Sequence, residues 1–383
     1  MEPIRVLIAD DHQHFRAGLR ALLASATDLE LASEAGDGER AIPLATELQP
    51  DVIVMDMQMP GAGGIEATRR ILPQSQRNEG SHMFALQFTE YGGPEVLSLG
   101  EAPEPHAGPG QIRILVRAAS VNPADWKVLS GMAAQGKPLE GTGYPGYDAA
   151  GVVDEVGEDV TGVAIGDDVF GRGDHTQAEY AVLDAWAHKP ASVDWAVAAA
   201  AGLVAETAER VLRLLGVTEG STIFIDGGAG GVGSAATQIA KARGATVIAS
   251  ASEANQDYLR EIGAIPVAYG EGMVDRVRAL QVDKIDAVLD TAGKTPMEDL
   301  ISLAPEPSQV VSIANSAADA AGARYTTTGS GEGQPMKALA EAAELLEQSK
   351  LVIKIQTFPF KRAAEAYRIS QDGHARGKLV LIP

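Results

Sequence analysis

The sequence of 383 residues predicts an α/β protein in which a mostly β region and a doubly wound parallel sheet follow a separate N-terminal βα fragment. A glycine-rich turn between a strand and a helix indicates the parallel sheet. Strands divided by Gly and Pro turns, with regular βα alternation only after about residue 195, indicate the β region. A polar stretch from about residue 73 marks the end of the N-terminal fragment.

The glycine-rich turn lies in Ile223–Gly233, which reads I-F-I-D-G-G-A-G-G-V-G and leads into a helical pattern over Ser234–Arg243. A G-x-G-x-x-G motif between a strand and a helix predicts a dinucleotide site. We expect Gly228 to allow a sharp turn, Gly230 to admit the pyrophosphate and Gly233 to let the helix pack closely. The helix N-terminus then faces the phosphates. The predicted cofactor contacts of the turn are Gly228, Ala229, Gly230, Gly231, Val232 and Gly233.

The next strand, Ala245–Ala249, indicates which dinucleotide binds. NAD sites place Asp or Glu at the end of this strand, whereas this chain has Ser250 and Ser252 there. Two hydroxyl groups suit a 2′-phosphate, so the sequence predicts NADPH and contacts from both serines. Glu253 follows one residue later and is the argument for NADH.

Composition excludes several classes of protein. A net charge of −21 and a pI near 4.7 argue against a surface for nucleic acid or an anionic membrane. The absence of cysteine excludes disulfides, a Cys-ligated zinc and a thiol nucleophile. With neither a transmembrane run nor a secretory signal pattern, we expect a cytoplasmic protein without nucleic-acid or membrane partners.

The N-terminal fragment, residues 1–72, alternates strands and helices. We predict strands at Ile4–Ala9, Glu30–Ala35 and Asp51–Met55, and helices at Phe15–Ser25, Gly38–Leu48 and Ile65–Leu72. Two carboxylates follow the first strand and one follows the third, so they should meet at one edge of a parallel sheet. Such a cluster of oxygen ligands suits Mg²⁺. The predicted ligands are Asp10, Asp11 and Asp56.

Two motifs in this fragment, I-A-D-D-H and V-M-D-M-Q-M-P-G-A-G-G-I-E-A-T, resemble the receiver domain of a two-component response regulator. The resemblance implies that Asp56 accepts a phosphoryl group and that Asp10 and Asp11 bind the metal. It ends near Leu72, before the two strands that carry a receiver's hydroxyl residue and lysine. We therefore expect this vestigial site to lack phosphotransfer activity.

Residues 73–82 read as a linker, and Gly80-Ser81-His82-Met83 resembles the scar of a cloning vector and tag-cleavage site. Met83 is then the expected start of a second protein. A receiver that regulates the following domain through phosphorylation is the alternative.

Motifs spread over residues 83–383 resemble the medium-chain dehydrogenase/reductase superfamily. They are V-N-P-A-D-W-K (Val121–Lys127), Y-P-G-Y-D-A-A-G-V-V (Tyr144–Val153), I-G-D-D-V-F-G (Ile165–Gly171), A-E-Y-A-V (Ala178–Val182), E-T-A (Glu206–Ala208), the glycine turn and G-H-A-R-G-K-L-V-L (Gly373–Leu381). The resemblance implies a GroES-like β-barrel substrate domain over 83–190, completed by 327–383, and a Rossmann NADPH-binding domain over 191–326. We also expect a homodimer.

Alcohol dehydrogenases of this superfamily hold zinc with a cysteine in the first loop and a G-H-E motif. Here the matching segments read Val121-Asn122-Pro123 and Gly146-Tyr147-Asp148, which predicts an enzyme without zinc. Without a Lewis acid, hydride transfer requires an acceptor that is already electrophilic. We therefore expect a quinone or an α,β-unsaturated carbonyl substrate. A non-catalytic NADPH sensor is another alternative.

The segment Asn122–Lys127 resembles the N-P-x-D-x-K segment of alkenal and enone reductases. The resemblance implies that Lys127 faces cofactor and substrate, where an ammonium group stabilises the developing enolate. Our predicted catalytic residues are Lys127, Asn122 and Asp125. The alternatives are a solvated loop charge at Lys127, an Asx turn at Asn122 and a turn residue at Asp125.

Family positions imply further cofactor contacts at the carboxyl ends of strands or in segments that face them. These positions are Thr207, Tyr269, Thr291, Ala292, Ile313 and Ala314. Tyr269 could stack on the adenine or reach the 2′-phosphate. His374 could approach the cleft, although a polar turn is the commoner setting for such a histidine.

Overall fold

The computed structural model describes residues 3–383 except 27, 57, 58, 60–62, 72–81, 135, 374 and 376. The chain divides into two compact units, Met1–Ser81 and His82–Pro383. Most of the predicted linker, including Gly80 and Ser81, and His374 lie outside the described residues. None of the helices in the described part of the chain is long and apolar enough to cross a membrane.

The first unit contains a three-stranded parallel sheet in the order β2-β1-β3. Its elements are β1 (Ile4–Ala9), α1 (Gln13–Ser25), β2 (Leu29–Ala35), α2 (Gly38–Leu48), β3 (Val52–Met55) and α3 (Gly64–Ile71). The carboxylate of Asp37 accepts a hydrogen bond of 2.8 Å from the backbone N–H of Arg40 and so caps α2. The predicted βα fragment is confirmed.

The second unit holds two six-stranded sheets and a two-stranded ribbon. Its strands are β4 (His82–Gln87), β5 (Ser98–Pro103), β6 (Ile112–Val121), β7 (Asp148–Val156), β8 (Asp168–Asp174), β9 (Tyr180–His188), β10 (Thr222–Asp226), β11 (Thr246–Ala251), β12 (Ile265–Ala268), β13 (Ala287–Asp290), β14 (Val310–Ser312), β15 (Arg324–Tyr325), β16 (Ile355–Pro359) and β17 (Lys378–Ile382). Its helices are α4 (Pro123–Leu129), α5 (Trp195–Leu214), α6 (Gly231–Ala242), α7 (Gln256–Glu261), α8 (Met273–Arg278), α9 (Met297–Ile301), α10 (Pro335–Glu347) and α11 (Ala363–Gln371).

One sheet is parallel, with the strand order β12-β11-β10-β13-β14-β15. The chain moves outward from β10 in one direction through β11 and in the other through β13. The crevice at the carboxyl end of β10 is therefore the topological switch point, where ligands bind in such sheets. The predicted doubly wound Rossmann sheet is confirmed.

The other large sheet has the order β16-β17-β6-β7-β8-β9, and an additional pairing between β6 and β9 closes it into a barrel. This arrangement confirms the predicted β-barrel. Because β17 runs antiparallel to β6, with Leu379 opposite Val121, the last strand begins beside the loop that precedes α4.

The sequence pattern predicts a strand from Val352, but β16 begins only at Ile355. The side-chain amide of Gln238 donates to the carbonyl oxygen of Val352 at 3.0 Å and accepts from its N–H at 2.8 Å. These two bonds occupy the backbone groups of Val352, so the residues just before β16 form a loop that packs on α6.

The helix α5 packs against both large sheets through an alanine-rich surface that is buried from Ala198 to Leu212. At Gly202, a Cβ atom would lie 2.8 Å from the Cβ of Asp148 and 2.9 Å from the carbonyl oxygen of Gly171. Only glycine allows this close approach. The helix therefore fixes the start of β7 relative to the parallel sheet.

A fully buried arginine, Arg113, joins β6 to neighbouring barrel segments. Its guanidinium donates to both carboxylate oxygens of Asp154, at 3.1 and 2.9 Å, and to the carbonyl oxygen of Pro105 at 2.8 Å. Glu104 and Glu155 complete its ion pairs. Removing the guanidinium leaves the buried carboxylate of Asp154 without its counter-charge.

We expect Arg113→Met to lower the free energy of unfolding of the second unit by about 3–5 kcal/mol, because it breaks a buried ion pair. Urea unfolding followed by tryptophan fluorescence measures this unit, since all three tryptophans lie in it. Arg172→Met is the control, because Arg172 pairs with the half-exposed Asp184. That change should cost less than about 1 kcal/mol. Equal losses in the two variants would contradict the assignment.

Candidate active site

The turn after β10 has the geometry of a phosphate site. The chain turns at Gly227, which has a φ of +83°, and Gly230 caps the start of α6. The sharp turn is therefore made at Gly227, whereas the sequence assigned it to Gly228. A Cβ at Gly228 would lie 2.6 Å from the Cβ of Ala249, so this glycine instead permits contact with β11.

The other two glycines of the motif differ in their surroundings. A Cβ at Gly233 would overlap the carbonyl oxygen of Gly227, so Gly233 lets α6 approach the turn closely. A Cβ at Gly230 would meet only that same oxygen, at 3.4 Å. The turn thus offers an open surface at a helix N-terminus, where backbone N–H groups attract anions. This surface fits a dinucleotide pyrophosphate.

Ser250 lies at the end of β11 but is fully buried. Its hydroxyl donates to the carboxylate of Asp226 and accepts from the N–H of Gly227 at 3.0 Å. This geometry does not favour the predicted contact between Ser250 and a ribose phosphate, because the hydroxyl is engaged inside the protein. Burial raises the pKa of Asp226, although the hydrogen bond from Ser250 lowers it.

Three polar residues lie at the adjoining ends of β11 and β12. The N–H of Tyr269 donates to the carbonyl oxygen of Ala251, which places Tyr269 beside the half-buried Ser252. The ring of Tyr269 is 59% exposed. The guanidinium of Arg276 donates to the carbonyl oxygen of Ala268 at 3.1 and 2.9 Å, so a positive charge lies near the same strand end.

The segments after β13 and β14 lie beside the glycine turn. The hydroxyl of Thr291 donates to the carbonyl oxygens of Asp226, at 2.7 Å, and Gly227, at 3.2 Å. The N–H of Ala292 donates to Asp290, and that of Ala314 to Ser312. Residues of both segments are therefore held at the edge of the crevice.

Two further predicted cofactor contacts lie deeper in the unit. Ile313 packs partly buried against the core cluster that contains α5 and α6. Thr207 is 6% exposed, and its hydroxyl donates to the buried carboxylate of Glu206 at 3.4 Å. The hydroxyl of Thr207 is thus engaged within α5.

Asp125, on the first turn of α4, closes the loop that begins this helix. Its carboxylate accepts from the backbone N–H groups of Asn122, at 2.7 Å, and Gly146, at 3.1 Å, and from the side chain of Gln177 at 3.3 Å. The residue is fully buried. Burial raises its pKa to about 7, although the hydrogen bond from Asn122 lowers it. These contacts favour the structural alternative over a catalytic role.

The side chain of Asn122 is also engaged at both ends. Its carbonyl oxygen accepts from the ammonium of Lys378, while its NH₂ group donates to Asp148 at 2.7 Å and to Ser120 at 3.2 Å. The residue is 2% exposed. Asn122 therefore holds the loop together, and it does not present a free amide to a substrate.

The sequence interpretation missed the roles of Asp148 and Lys378. Asp148 accepts from the hydroxyl of Ser120 at 2.6 Å and from the N–H of Leu203, in α5, at 2.9 Å. Burial lowers the pKa of Lys378, although Asp148 and Asp125 raise it. A charged residue that opens an apolar strand, as in D-A-A-G-V-V and K-L-V-L, was the available signal.

Lys127 differs from the other two predicted catalytic residues, because its side chain is only half-buried. Its ammonium lies 5.8 Å from the centre of the Trp126 ring. Among the residues that the structure describes, it makes no hydrogen bond or ion pair. Trp126 packs, partly buried, against a core cluster that includes Leu129 and Tyr367.

In the first unit, ligand atoms of Asp10, Asp11, His12 and Asp56 all lie within 4.8 Å of one another. The sheet thus brings together the three carboxylates that the sequence placed at its edge. Carboxylate oxygens suit Mg²⁺. His12 joins the group.

Three family models match the chain. Residues 108–213 match the alcohol dehydrogenase GroES-like domain, and residues 262–381 match a zinc-binding dehydrogenase domain. Residues 6–93 match the response regulator receiver domain, a range that extends past β4.

The chain is 32% identical over 320 residues to a 2-methylene-furan-3-one reductase of Solanum lycopersicum, which covers 79% of this chain and 80% of the relative. It is 32% identical over 318 residues, with the same coverage, to an NADPH-dependent alkenal/one oxidoreductase of Arabidopsis thaliana. The structure of a quinone oxidoreductase from Coxiella burnetii matches with a TM-score of 0.67 and 31% identity, over 79% of this chain and 100% of that one. The chain therefore belongs to the medium-chain dehydrogenase/reductase superfamily, as an oxidoreductase that uses a nicotinamide cofactor, and carries a response-regulator receiver segment at its N-terminus.

Proposed function

We propose that the second unit is a zinc-independent, NADPH-dependent reductase of α,β-unsaturated carbonyl compounds, with quinones as the second class of acceptor. The observation that carries this proposal is Lys127, a half-buried ammonium on α4 without a hydrogen bond or ion pair among the described residues. Relatives named as a 2-methylene-furan-3-one reductase and an alkenal/one oxidoreductase support enones. The quinone oxidoreductase structure supports quinones.

The residues at the expected metal positions support a mechanism without zinc. The chain has no cysteine, and Asn122 and Tyr147 occupy the positions of the metal ligands in zinc enzymes of the superfamily. Asn122 is engaged by Lys378 and Asp148. In the described part of the second unit, no three His, Asp or Glu side chains lie close enough to bind one ion.

The chemistry follows from the charge that develops on the acceptor. When bound, NADPH would supply a hydride to the β-carbon of an enone, and a proton from water would complete the reduction at the α-carbon. Lys127 stabilises the negative charge that forms on the carbonyl oxygen, because a preorganised cation acts strongly in a partly desolvated site. Asn122 and Asp125 hold the start of α4, so their contribution is to the position of Lys127.

Selectivity for NADPH is assigned to the ends of β11 and β12. Ser252 and Tyr269 lie at adjoining strand ends, and the guanidinium of Arg276 supplies the positive charge that the serines lack. Arg276 replaces Ser250 in this assignment, because the hydroxyl of Ser250 is bound to Asp226. The relative described as NADPH-dependent supports the same cofactor.

Gly230→Ala should fold normally and lose dinucleotide affinity, because its Cβ meets only one atom at 3.4 Å but projects into the phosphate surface. We expect the Kd of NADPH to rise at least about tenfold, or 1.4 kcal/mol. Fluorescence titration measures this change. Gly329→Ala is the control, since its Cβ would have only the Thr327 hydroxyl nearby, at 3.8 Å. Unchanged affinity in Gly230→Ala would place the phosphates elsewhere.

Arg276→Ala should raise the Kd of NADPH about tenfold, because it removes a charge-assisted contact to the 2′-phosphate. The Kd of NADH should change less than about twofold, since NADH lacks that phosphate. Arg278→Ala, on the same helix, is the control, because Arg278 donates instead to Ser302. Equal effects on both cofactors would remove Arg276 from the phosphate site.

Lys127→Ala should reduce the turnover of an enone at least about tenfold, which is the cautious end of the effect of one preorganised donor. Quinone reduction should fall less, because a quinone is already a strong acceptor. NADPH affinity, measured by titration, should change little. Lys137→Ala is the control, since Lys137 is exposed in the loop after α4. Enone turnover at the parent rate would show that Lys127 is a loop charge.

A further inference from the structure

We propose that Lys378 is a positioning residue that ties the loop before α4, the helix that bears Lys127, to the N-terminus of α6. It thus joins the substrate and cofactor sides of the crevice. The inference rests on the function proposed above. Lys378 opens β17 and is 5% exposed. The methylene groups of its side chain contact the glycine turn, and its ammonium contacts the loop before α4.

The methylene groups of the Lys378 side chain pass across Gly231, the first residue of α6. A Cβ at Gly231 would lie 3.2 Å from the Cδ of Lys378 and 3.3 Å from a methyl group of Val204. These distances are tighter than most real Cβ contacts, so a Cβ at Gly231 would require Lys378 or Val204 to shift by a few tenths of an ångström. Gly231 therefore leaves a passage for the Lys378 side chain between α5 and the glycine turn.

The ammonium sets the orientation of the Asn122 amide. It donates to the side-chain carbonyl oxygen of Asn122 and, at 3.3 Å, to the backbone carbonyl oxygen of Val121. An ammonium group has donors only, so it binds the amide through its oxygen. The NH₂ group is thereby directed to Asp148 and Ser120.

Charge compensation explains why a lysine serves here. Asp125 and Asp148 are both fully buried, and Lys378 supplies a positive charge close to them. Asp148 is bound to α5 through the N–H of Leu203, and Asp125 is bound to the loop at Gly146. Without the ammonium, two buried carboxylates lose their counter-charge and the start of α4 loses its fixed position. A displacement of about 1 Å in such a site can reduce turnover by about 100-fold.

Hydrogen exchange tests the positioning role without cofactor, substrate or turnover. Lys378→Met keeps an unbranched side chain only one atom shorter but removes its charge and donors. We expect backbone amides of residues 121–130 to exchange at least about tenfold faster in this variant, because the end of β6 and α4 lose their anchor. Unchanged exchange in this segment would overturn the proposal.

Lys189→Met is the matched control. The side chain of Lys189 is 6% exposed, and its ammonium donates to two carbonyl oxygens, both of the backbone, at Pro190 and Val193. Any general effect of removing a buried ammonium should appear in both variants. Only Lys378→Met should accelerate exchange at residues 121–130. Acceleration there in both variants would show a nonspecific loss of stability and contradict the proposal.

A double-mutant cycle with Lys127→Ala provides the kinetic test. Lys378→Met should lower enone turnover at least about tenfold in the parent, but less than about twofold in the Lys127→Ala background, because it acts through Lys127. The Kd of NADPH should change less than about threefold. Equal losses in both backgrounds, or a loss of NADPH affinity alone, would overturn the assignment.

Lys378→Gln is measured in parallel, because Lys378→Met could fail to fold. Glutamine keeps a donor for Asn122 without the charge, so exchange in residues 121–130 should lie between that of the parent and that of the methionine variant. If Lys378→Gln exchanges at the parent rate, the hydrogen bond to Asn122 alone, without the charge, holds this segment. If it exchanges as fast as Lys378→Met, that hydrogen bond has no such role. A parent protein that fails to reduce any enone or quinone refutes the proposed function, while the exchange results still decide the position of α4.

Discussion

The buried arrangement of Asp125, Asp148 and Lys378 is the constraint on which the candidate active site depends. Three segments far apart in the sequence meet there: the start of α4, the start of β7 and the start of β17. Each carboxylate is bound by N–H groups, and the lysine provides the compensating charge. Breaking such a group is expensive, because it leaves a buried charge without its partner. The start of α4, the helix that carries Lys127, is therefore fixed from several sides.

Local signals predicted the fold and the dinucleotide turn. Regular βα alternation predicted the parallel sheet, strands divided by Gly and Pro turns predicted the β region, and the glycine spacing predicted a dinucleotide site. They could not assign the turn to Gly227 rather than Gly228, because a run of glycines permits a positive φ at each position. Nor could they show that Ser250 faces Asp226, since that contact joins neighbouring strands. A serine at the end of a strand has the same sequence signal whether it faces a ligand or a buried carboxylate.

The segment with the predicted catalytic residues shows the same limit. The pattern N-P-A-D-W-K groups three polar residues, but the structure gives them different surroundings. Asn122 and Asp125 bond to each other, and their other partners include Gly146, 21 residues from Asp125, and Lys378, 256 residues from Asn122. Lys127 projects from the next turn of α4 and is half-buried. Long-range hydrogen bonds, which no local pattern encodes, thus distinguish the two residues that hold the loop from Lys127, whose ammonium makes no hydrogen bond or ion pair among the described residues.

Polar groups, and not apolar packing alone, hold the loop before α4, because hydrogen bonds fix its orientation as well as its position. Apolar contacts are non-directional and allow neighbouring helices to slide. The amide of Asn122, by contrast, satisfies its bonds in only one orientation, with its oxygen toward Lys378 and its NH₂ toward Asp148. Because Lys378 also lies against Gly231, at the start of α6, the same side chain contacts the Asn122 amide and the glycine turn. A single buried side chain thus links the position of the loop before α4 to that of the glycine turn.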